Sequence, residues 1–339
     1  MNQVLSADAA MARAIECARL GLGKTFPNPI VGAVITSATG EFISEGFHQG
    51  ADHAEVVAIN AAKNIPAGAI IYVTLEPCNH QGKTPPCTQA IVDAGIKKVV
   101  YAVGDPNPIA AGGGEYLLAS GIEVEQGLSE SEATFDNRAW LTKIAKERPR
   151  ITWKIASTMD GKVAAPDGTS KWITSELARA DVAVLRSQSD AIVTSTSTVK
   201  ADNPLLTSKG AGNNPVRFVM GGSEIASSAL ILNTDAETIA IKSRDLQELI
   251  TLVKARGFNQ LLIESGPTFG TALLKAGLID EVVLYQAPTF FGSGTPSISD
   301  LGVATISQRL DFEIADVEVI GADLKITLIK SANQEVGGR

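Results

Sequence analysis

Between residues 7 and 21, small and apolar side chains recur at three- and four-residue spacing among charged ones, which predicts a helix closed near Gly21 and Gly23. PIVGAVITSATGEFISEGFH then predicts two strands joined by a short turn at Gly40. HAEVVAINAAK returns to helical spacing, and AIIYVTLEP is alternating and β-branched, which predicts a strand. CTQAIVDAG predicts a short helix ended by Gly95, and KKVVYAVGDPNP a strand that runs into a turn. Helix, hairpin, helix, strand, helix, strand implies a mixed sheet with helices packed on it.

The pattern breaks at AKERPR, which is charged and carries a proline, and a domain boundary is placed there, giving 1–147 and 148–339. A second alternation follows. ITWKIAS, DAIVTSTST, PVRFVMG, QLLIESG and EVVLYQAP read as strands, and SELARADVAVLRSQ, LQELITLVKARG and TFGTALLKAG as helices. This is a second α/β domain with its own core. The closing SANQEVGGR reads as a frayed end.

Composition narrows the choices. The 339 residues suit two domains, and 45% hydrophobic content suits buried cores. No stretch reaches the roughly 18 unbroken apolar residues of a membrane helix. The start, MNQVLSADAAMARAIE, has no basic segment followed by an apolar run, so a cytoplasmic protein is expected. Three cysteines make a poor disulfide framework, and in a reducing compartment paired cysteines read better as metal ligands or redox groups. A net charge of −8 argues against a general nucleic-acid binder, which needs a basic face.

Two of those cysteines bracket a polar loop in TLEPCNHQGKTPPCTQAI. Cys78 follows a predicted strand and Cys87 opens a predicted helix, where exposed N–H groups favour the thiolate that ligates metal. Zinc takes sulfur and imidazole, and a catalytic zinc keeps three protein ligands and one open position. His53 supplies the third ligand. Glu55, two residues on, does not share its helix face and reads instead as the group that moves the proton of a water whose pKa zinc lowers to about 7. A structural zinc half-site is the plainer alternative. Cys17 reads as a core residue and His48 as a packing or hydrogen-bonding one. In the second half, STMDGK predicts a tight turn at Asp160–Gly161, STSTVKADNPLLT a strand ending in a polar loop, and ESGPTFGTALLKAG a strand–glycine–helix junction suited to a phosphate.

H-A-E followed by P-C and a second cysteine resembles the zinc-dependent nucleoside and nucleotide deaminases, although eight residues separate the cysteines here. PNPIVGAVI, EGFHQGADHAE, TLEPCNHQGKTPPC and DPNP together resemble the deaminase half of the bifunctional riboflavin-biosynthesis deaminase–reductases. KIASTMDGK, SKWITS and ADNPLLT resemble the reductase half of the same family, a domain similar to dihydrofolate reductase that uses NADPH.

The resemblance implies an N-terminal cytidine-deaminase-like α/β/α domain and a C-terminal dihydrofolate-reductase-like α/β domain. It implies zinc-dependent hydrolytic deamination of a phosphorylated diaminopyrimidinone ribosylamine, then reduction of the ribosyl group to ribityl with NADPH, in a homodimer joined through the reductase half. Carried over residue by residue, His53, Cys78 and Cys87 hold zinc and Glu55 is catalytic. Asn28, His80 and Lys83 meet the deaminase substrate, and Ser170, Asp202, Leu206, Lys209 and Glu264 meet the reductase substrate. Ala156, Trp172, Thr198, Asp202, Ser223 and the run Gly266, Pro267, Thr268, Phe269, Gly270, Thr271 and Ala272 meet the dinucleotide. For Trp172 the alternative is a core aromatic.

Three positions depart from the family. Lys209 stands where arginine is usual and lacks the bidentate fork. FVMGGSE lacks the usual strand-end aspartate, and Gly113 stands where a basic residue is common. A working deaminase beside a degenerate reductase is the second reading they leave open. A deaminase of bases in RNA and a non-catalytic zinc-stabilised binding protein are the rivals from further afield.

Overall fold

The computed structural model describes residues 3–81 and 85–331. Lys83 and most of SANQEVGGR lie outside the described residues. The chain divides into two compact units, Met1–Glu147 and Arg148–Arg339.

The first unit runs α1 (Ala7–Arg19), β1 (Gly32–Thr36), β2 (Phe42–Phe47), α2 (Ala54–Ala61), β3 (Ile70–Leu75), α3 (Cys87–Asp93), β4 (Lys98–Val103), α4 (Gly113–Ala119), β5 (Glu123–Gln126), α5 (Glu130–Asp136) and α6 (Arg138–Lys146). Its sheet has the order β2-β1-β3-β4-β5. The hairpin makes β1 antiparallel to β2, and β1 is also antiparallel to β3, while β3, β4 and β5 are parallel. Alternation along the strands feeds two cores. Val34, Tyr72 and Val100 pack with Met11, Ala14 and Ile15 of α1 and Trp140 of α6. Ala33, Ile71, Val73 and Val99 face Ala54 and Ala58 of α2, Ile91 of α3 and Leu117 of α4. Helices therefore cover both faces, an α/β/α layering. Close approach of α2 depends on Gly46, where a Cβ would lie 2.5 Å from Ala58 N and 2.6 Å from Ala54 O.

The second unit runs β6 (Arg150–Thr158), β7 (Lys162–Ala164), α7 (Glu176–Ser187), β8 (Ala191–Ser195), α8 (Thr196–Asp202), β9 (Val216–Met220), β10 (Thr238–Ile241), α9 (Leu246–Ala255), β11 (Gln260–Ile263), α10 (Pro267–Lys275), β12 (Glu281–Ala287), β13 (Thr295–Pro296), β14 (Phe312–Ile320) and β15 (Asp323–Lys330). Eight strands form one sheet in the order β10-β9-β8-β11-β6-β12-β15-β14. The six strands from β10 to β12 are parallel, and β15 and β14 close the sheet antiparallel. One face packs Ile151, Trp153, Val193, Phe218 and Leu261 against Leu249 and Val253 of α9 and Leu273 of α10. On the other face, Val283 and Tyr285 pack against Ala178 and Val182 of α7.

DAIVTSTST, expected to be one strand, is a correction. β8 stops at Ser195, and Thr196 begins α8 rather than a polar loop. The Ser195 side chain accepts from Thr198 N at 3.2 Å, so the hydroxyl-rich run caps a helix instead of extending the ladder. No described helix is long and apolar enough to cross a membrane.

Candidate active sites

In the first unit the strand-to-helix junctions converge. His53 is the N-cap of α2 and Cys87 is the first residue of α3, while Cys78 lies three residues beyond β3. His53 Nδ1 stands 3.2 Å from Cys87 Sγ and 3.5 Å from Cys78 Sγ. The three ligand atoms all lie within 4.8 Å of one another. Hydrogen bonding with Cys87 holds Cys78 down at about 4, and the same bond, with burial, raises Cys87. Two adjacent sulfurs, one readily ionised, with an imidazole turned toward both, form a donor set that fits tetrahedral zinc with one position left open.

Glu55, the second residue of α2, is buried at 3% exposure, and burial pushes its carboxyl up to about 7. It lies beside Cys87 and outside the three-residue ligand set. Asn28 reaches this centre through a neighbour. Its Nδ2 lies 3.2 Å from His48 Nε2, and the His48 ring meets His53 edge-on at 5.4 Å between centroids. His80 carries a buried Nδ1 with no hydrogen-bond partner among the described residues. Glu76 ties the loops around Cys78 together, accepting from Asp105 N at 3.0 Å and Gly114 N at 2.9 Å. At Gly113 a Cβ would fall 1.8 Å from the Pro77 carbonyl oxygen. The residue that departs from the family is thus one where α4 lies directly against the backbone next to Cys78.

In the second unit the expected residues gather at the C-terminal ends of the parallel strands, the edge where open α/β sheets bind ligands. Glu264 follows β11 and is held by Arg186 of α7 at 2.5 Å and 2.8 Å, with Lys154 of β6 at 3.8 Å. Burial alone would raise Glu264. Arg186, by charge and hydrogen bond, with Lys154 and Lys209, overrides it and holds the carboxyl below its usual value. Arg186 also donates to the Thr207 carbonyl at 3.2 Å, fixing the loop that carries Leu206 and Lys209. Both of those residues have positive φ, 52° and 50°. Lys171 Nζ donates to the Asp202 carbonyl at 2.7 Å and so links the segment of Ser170 and Trp172 to the end of α8.

Trp172 is 67% exposed, which excludes the core-aromatic alternative, and the Arg179 guanidinium stacks 4.7 Å from its ring centroid. Thr198 Oγ1 is 3.3 Å from Ser265 Oγ and accepts from Gly266 N at 3.3 Å. α10 starts at Pro267 behind Gly266 with no side-chain cap, so its first N–H groups are available to an anion. Gly270 lets the helix lie on Trp153, since a Cβ there would come within 2.1 Å of the ring. Ala156 lies half-buried on β6, and Thr268, Phe269, Thr271 and Ala272 belong to α10. Ser223 stands exposed, three residues beyond β9.

Residues 149–326 match the RibD C-terminal domain, and residues 5–103 match the cytidine and deoxycytidylate deaminase zinc-binding region. The riboflavin biosynthesis protein RibD of Mycobacterium tuberculosis is 42% identical over 337 residues, which cover 97% of this chain and 99% of that protein. The chain belongs to the RibD family. RibD of Escherichia coli is 36% identical and is covered to 98%, over 94% of this chain. The crystal structure of a diaminohydroxyphosphoribosylaminopyrimidine deaminase/5-amino-6-(5-phosphoribosylamino)uracil reductase from Thermotoga maritima has a TM-score of 0.88 at 34% identity, covering 96% of this chain and 98% of that one. RibD of Acinetobacter baumannii gives 0.85 at 36% identity, with the same coverage. As a RibD, the chain is a bifunctional deaminase and reductase of riboflavin biosynthesis, with zinc serving one half and NADPH the other.

Sequence reasoning passed over Arg186, Glu76 and the hydroxyls of Ser195 and Ser265. Arg186 left one trace, a charge four residues after buried Val182 and so on the inward stripe of α7. Glu76 left none, because its partners are backbone N–H groups of distant loops.

Proposed function

We propose that the first unit removes the amino group of 2,5-diamino-6-ribosylamino-4(3H)-pyrimidinone 5′-phosphate by hydrolysis. The second then reduces the ribosyl group to ribityl, giving 5-amino-6-ribitylamino-uracil 5′-phosphate. The observation that carries this reading is the buried Glu55 carboxyl beside a converging His–Cys–Cys set. His53, Cys78 and Cys87 hold zinc, which when bound supplies Lewis acidity and a water that ionises near pH 7. Glu55 takes a proton and returns it to the leaving amine, a role suited to a group whose pKa lies near the working pH. Asn28, steadied by His48, hydrogen-bonds the ring, and His80 and Lys83 meet the phosphate.

In the second unit Ser170, Asp202, Leu206 and the Glu264 anion meet the reductase substrate, and Lys209 meets its phosphate. NADPH, when bound, supplies the hydride, and Ala156, Trp172, Thr198, Asp202, Ser223 and Gly266–Ala272 orient it. The intact Arg186–Glu264 pair supports a working reductase over a degenerate one. We place the division of labour at residues 1–147 and 148–339, in a cytoplasmic homodimer. Support for the dimer comes from β14, whose exposed Ile314, Val317 and Val319 lie opposite Leu328, Ile326 and Leu324 of β15 and present an apolar face.

The test is a coupled assay that follows ammonia release and NADPH oxidation together. Glu55→Gln is expected to lower ammonia release by about 10²- to 10⁴-fold. It should leave zinc content and reduction of pre-deaminated substrate intact. Loss of both activities in that variant, or of neither, would sink the assignment.

A further inference from the structure

The dinucleotide reading leaves one question open on the sheet edge, namely what distinguishes NADPH from NADH. We propose that Lys242 and Arg244, with the Ser223 hydroxyl, bind the 2′-phosphate of the coenzyme and set its preference for the phosphorylated form. This inference rests on the reading of that edge as the NADPH site.

The strand ends lead from one feature to the other. β11, β8, β9 and β10 are consecutive neighbours in the sheet and all parallel, so their C-terminal ends emerge side by side. The end of β11 carries the uncapped start of α10, and the end of β8 carries the Ser195–Thr198 hydroxyls bonded to Ser265. β9 ends in Gly221-Gly222-Ser223, and β10 runs into Lys242-Ser243-Arg244. Gly221 joins these ends. Its N–H donates to the Ile241 carbonyl at 3.0 Å, and a Cβ on it would lie 2.5 Å from Thr196 Oγ1. Gly222 has open space where a side chain would stand. With strands about 4.8 Å apart, β10 lies roughly 15 Å from β11, and Gly221 and Gly222 at the end of β9 leave a floor without side chains beside β10. A dinucleotide whose diphosphate sits at α10 has its adenylyl ribose running along that floor toward Lys242.

A 2′-phosphate is a dianion, and a cation placed beside the adenylyl ribose accommodates it. β9 ends here without a carboxylate among Gly221, Gly222 and Ser223. Asp245 is committed to capping α9, accepting from Gln247 N at 2.9 Å, and Glu224 is the exposed acid that follows Ser223. Lys242 and Arg244 are both exposed, and neither has an ion pair or hydrogen bond among the described residues. Ser243 Oγ accepts from Asp245 N at 2.9 Å and fixes the turn between β10 and α9 that carries both cations. In a chain with net charge −8, two free cations two residues apart at the ligand edge are placed to meet a dianion.

Calorimetric titration of the full chain, without pyrimidine substrate, tests this with four probes, NADPH, NADH, 2′,5′-ADP and ADP. For Lys242→Ala/Arg244→Ala, the Kd for NADPH and 2′,5′-ADP is expected to rise about 10- to 100-fold, the scale of two charged hydrogen bonds. The Kd for NADH and ADP should move by less than about threefold. The salt dependence of NADPH binding should fall in the variant as well. Ser223→Ala should give a smaller loss, confined to the same two phosphorylated probes. An unchanged Kd for NADPH, or equal weakening of NADPH and NADH, overturns the proposal while leaving the coenzyme assignment standing. Failure of the unaltered protein to bind either coenzyme overturns that assignment, and the proposal with it.

Discussion

Glu55 and Glu264 are both buried carboxyls, and their surroundings push them in opposite directions. Glu55 is raised to about 7 by burial, as a proton carrier needs, whereas Glu264 is held low because Arg186, Lys154 and Lys209 outweigh its burial. The sign for Glu264 sets a stability prediction. Its folded pKa lies below the unfolded value of about 4.3, so the pair contributes stability that is fully present above that value and is lost as pH falls through the folded one. Arg186→Met strands the carboxylate. At pH 7 it should lower the stability of the second unit by about 3–5 kcal/mol, and the gap to the unaltered protein should shrink below about pH 4 in thermal melts. A gap that grows in acid would contradict the account. The H-A-E, P-C and second-cysteine set was legible because each piece is local and sits at a predicted strand or helix end. Arg186 was not, because its partner lies 78 positions away and only the fold shows that its helix turns it inward.

Among elements, α2 positions most of the first site, since it begins at His53 and carries Glu55. Its seat depends on Gly46. A methyl there would strike the α2 backbone, and a catalytic group displaced by about 1 Å can lose about 100-fold in rate. Gly46→Ala should therefore retain less zinc after dialysis against a chelator and lose deamination, with reduction unaffected. Zinc content equal to that of the unaltered protein would argue against it. The long amphipathic helices and β-branched strands were legible in the pattern. α8 was not, because threonine is at home both in strands and beside helix caps, and the choice turned on the Ser195 cap. α4 was also missed, since it opens on Gly113 and Gly114, which read as loop until Pro77 and Tyr101 are seen to fill the space their side chains would need. β10, with four residues, is too short for a period to emerge.

At the scale of the molecule, two cores of separate composition carry two chemistries, so removing the metal should divide them. Chelation is expected to abolish ammonia release, lower the melting temperature of the first unit, and leave reduction of pre-deaminated substrate unchanged. Loss of reduction on chelation would show that the halves depend on one another. The apolar face of the β14–β15 hairpin gives a second expectation. Val317→Lys, at a site already 52% exposed, should leave the fold intact and halve the mass measured by light scattering. An unchanged mass would rule out that hairpin as the joint. The cysteine junction has a consequence of another kind. Thr88 N donates to the Cys78 carbonyl at 3.3 Å, and Thr88 Oγ1 donates to Asn79 Oδ1 at 2.9 Å, so the stretch between the cysteines is fastened at its base. Its middle can then be rewritten, by evolution or by an engineer, to suit a different nucleotide while the hydrolytic machinery is inherited unchanged.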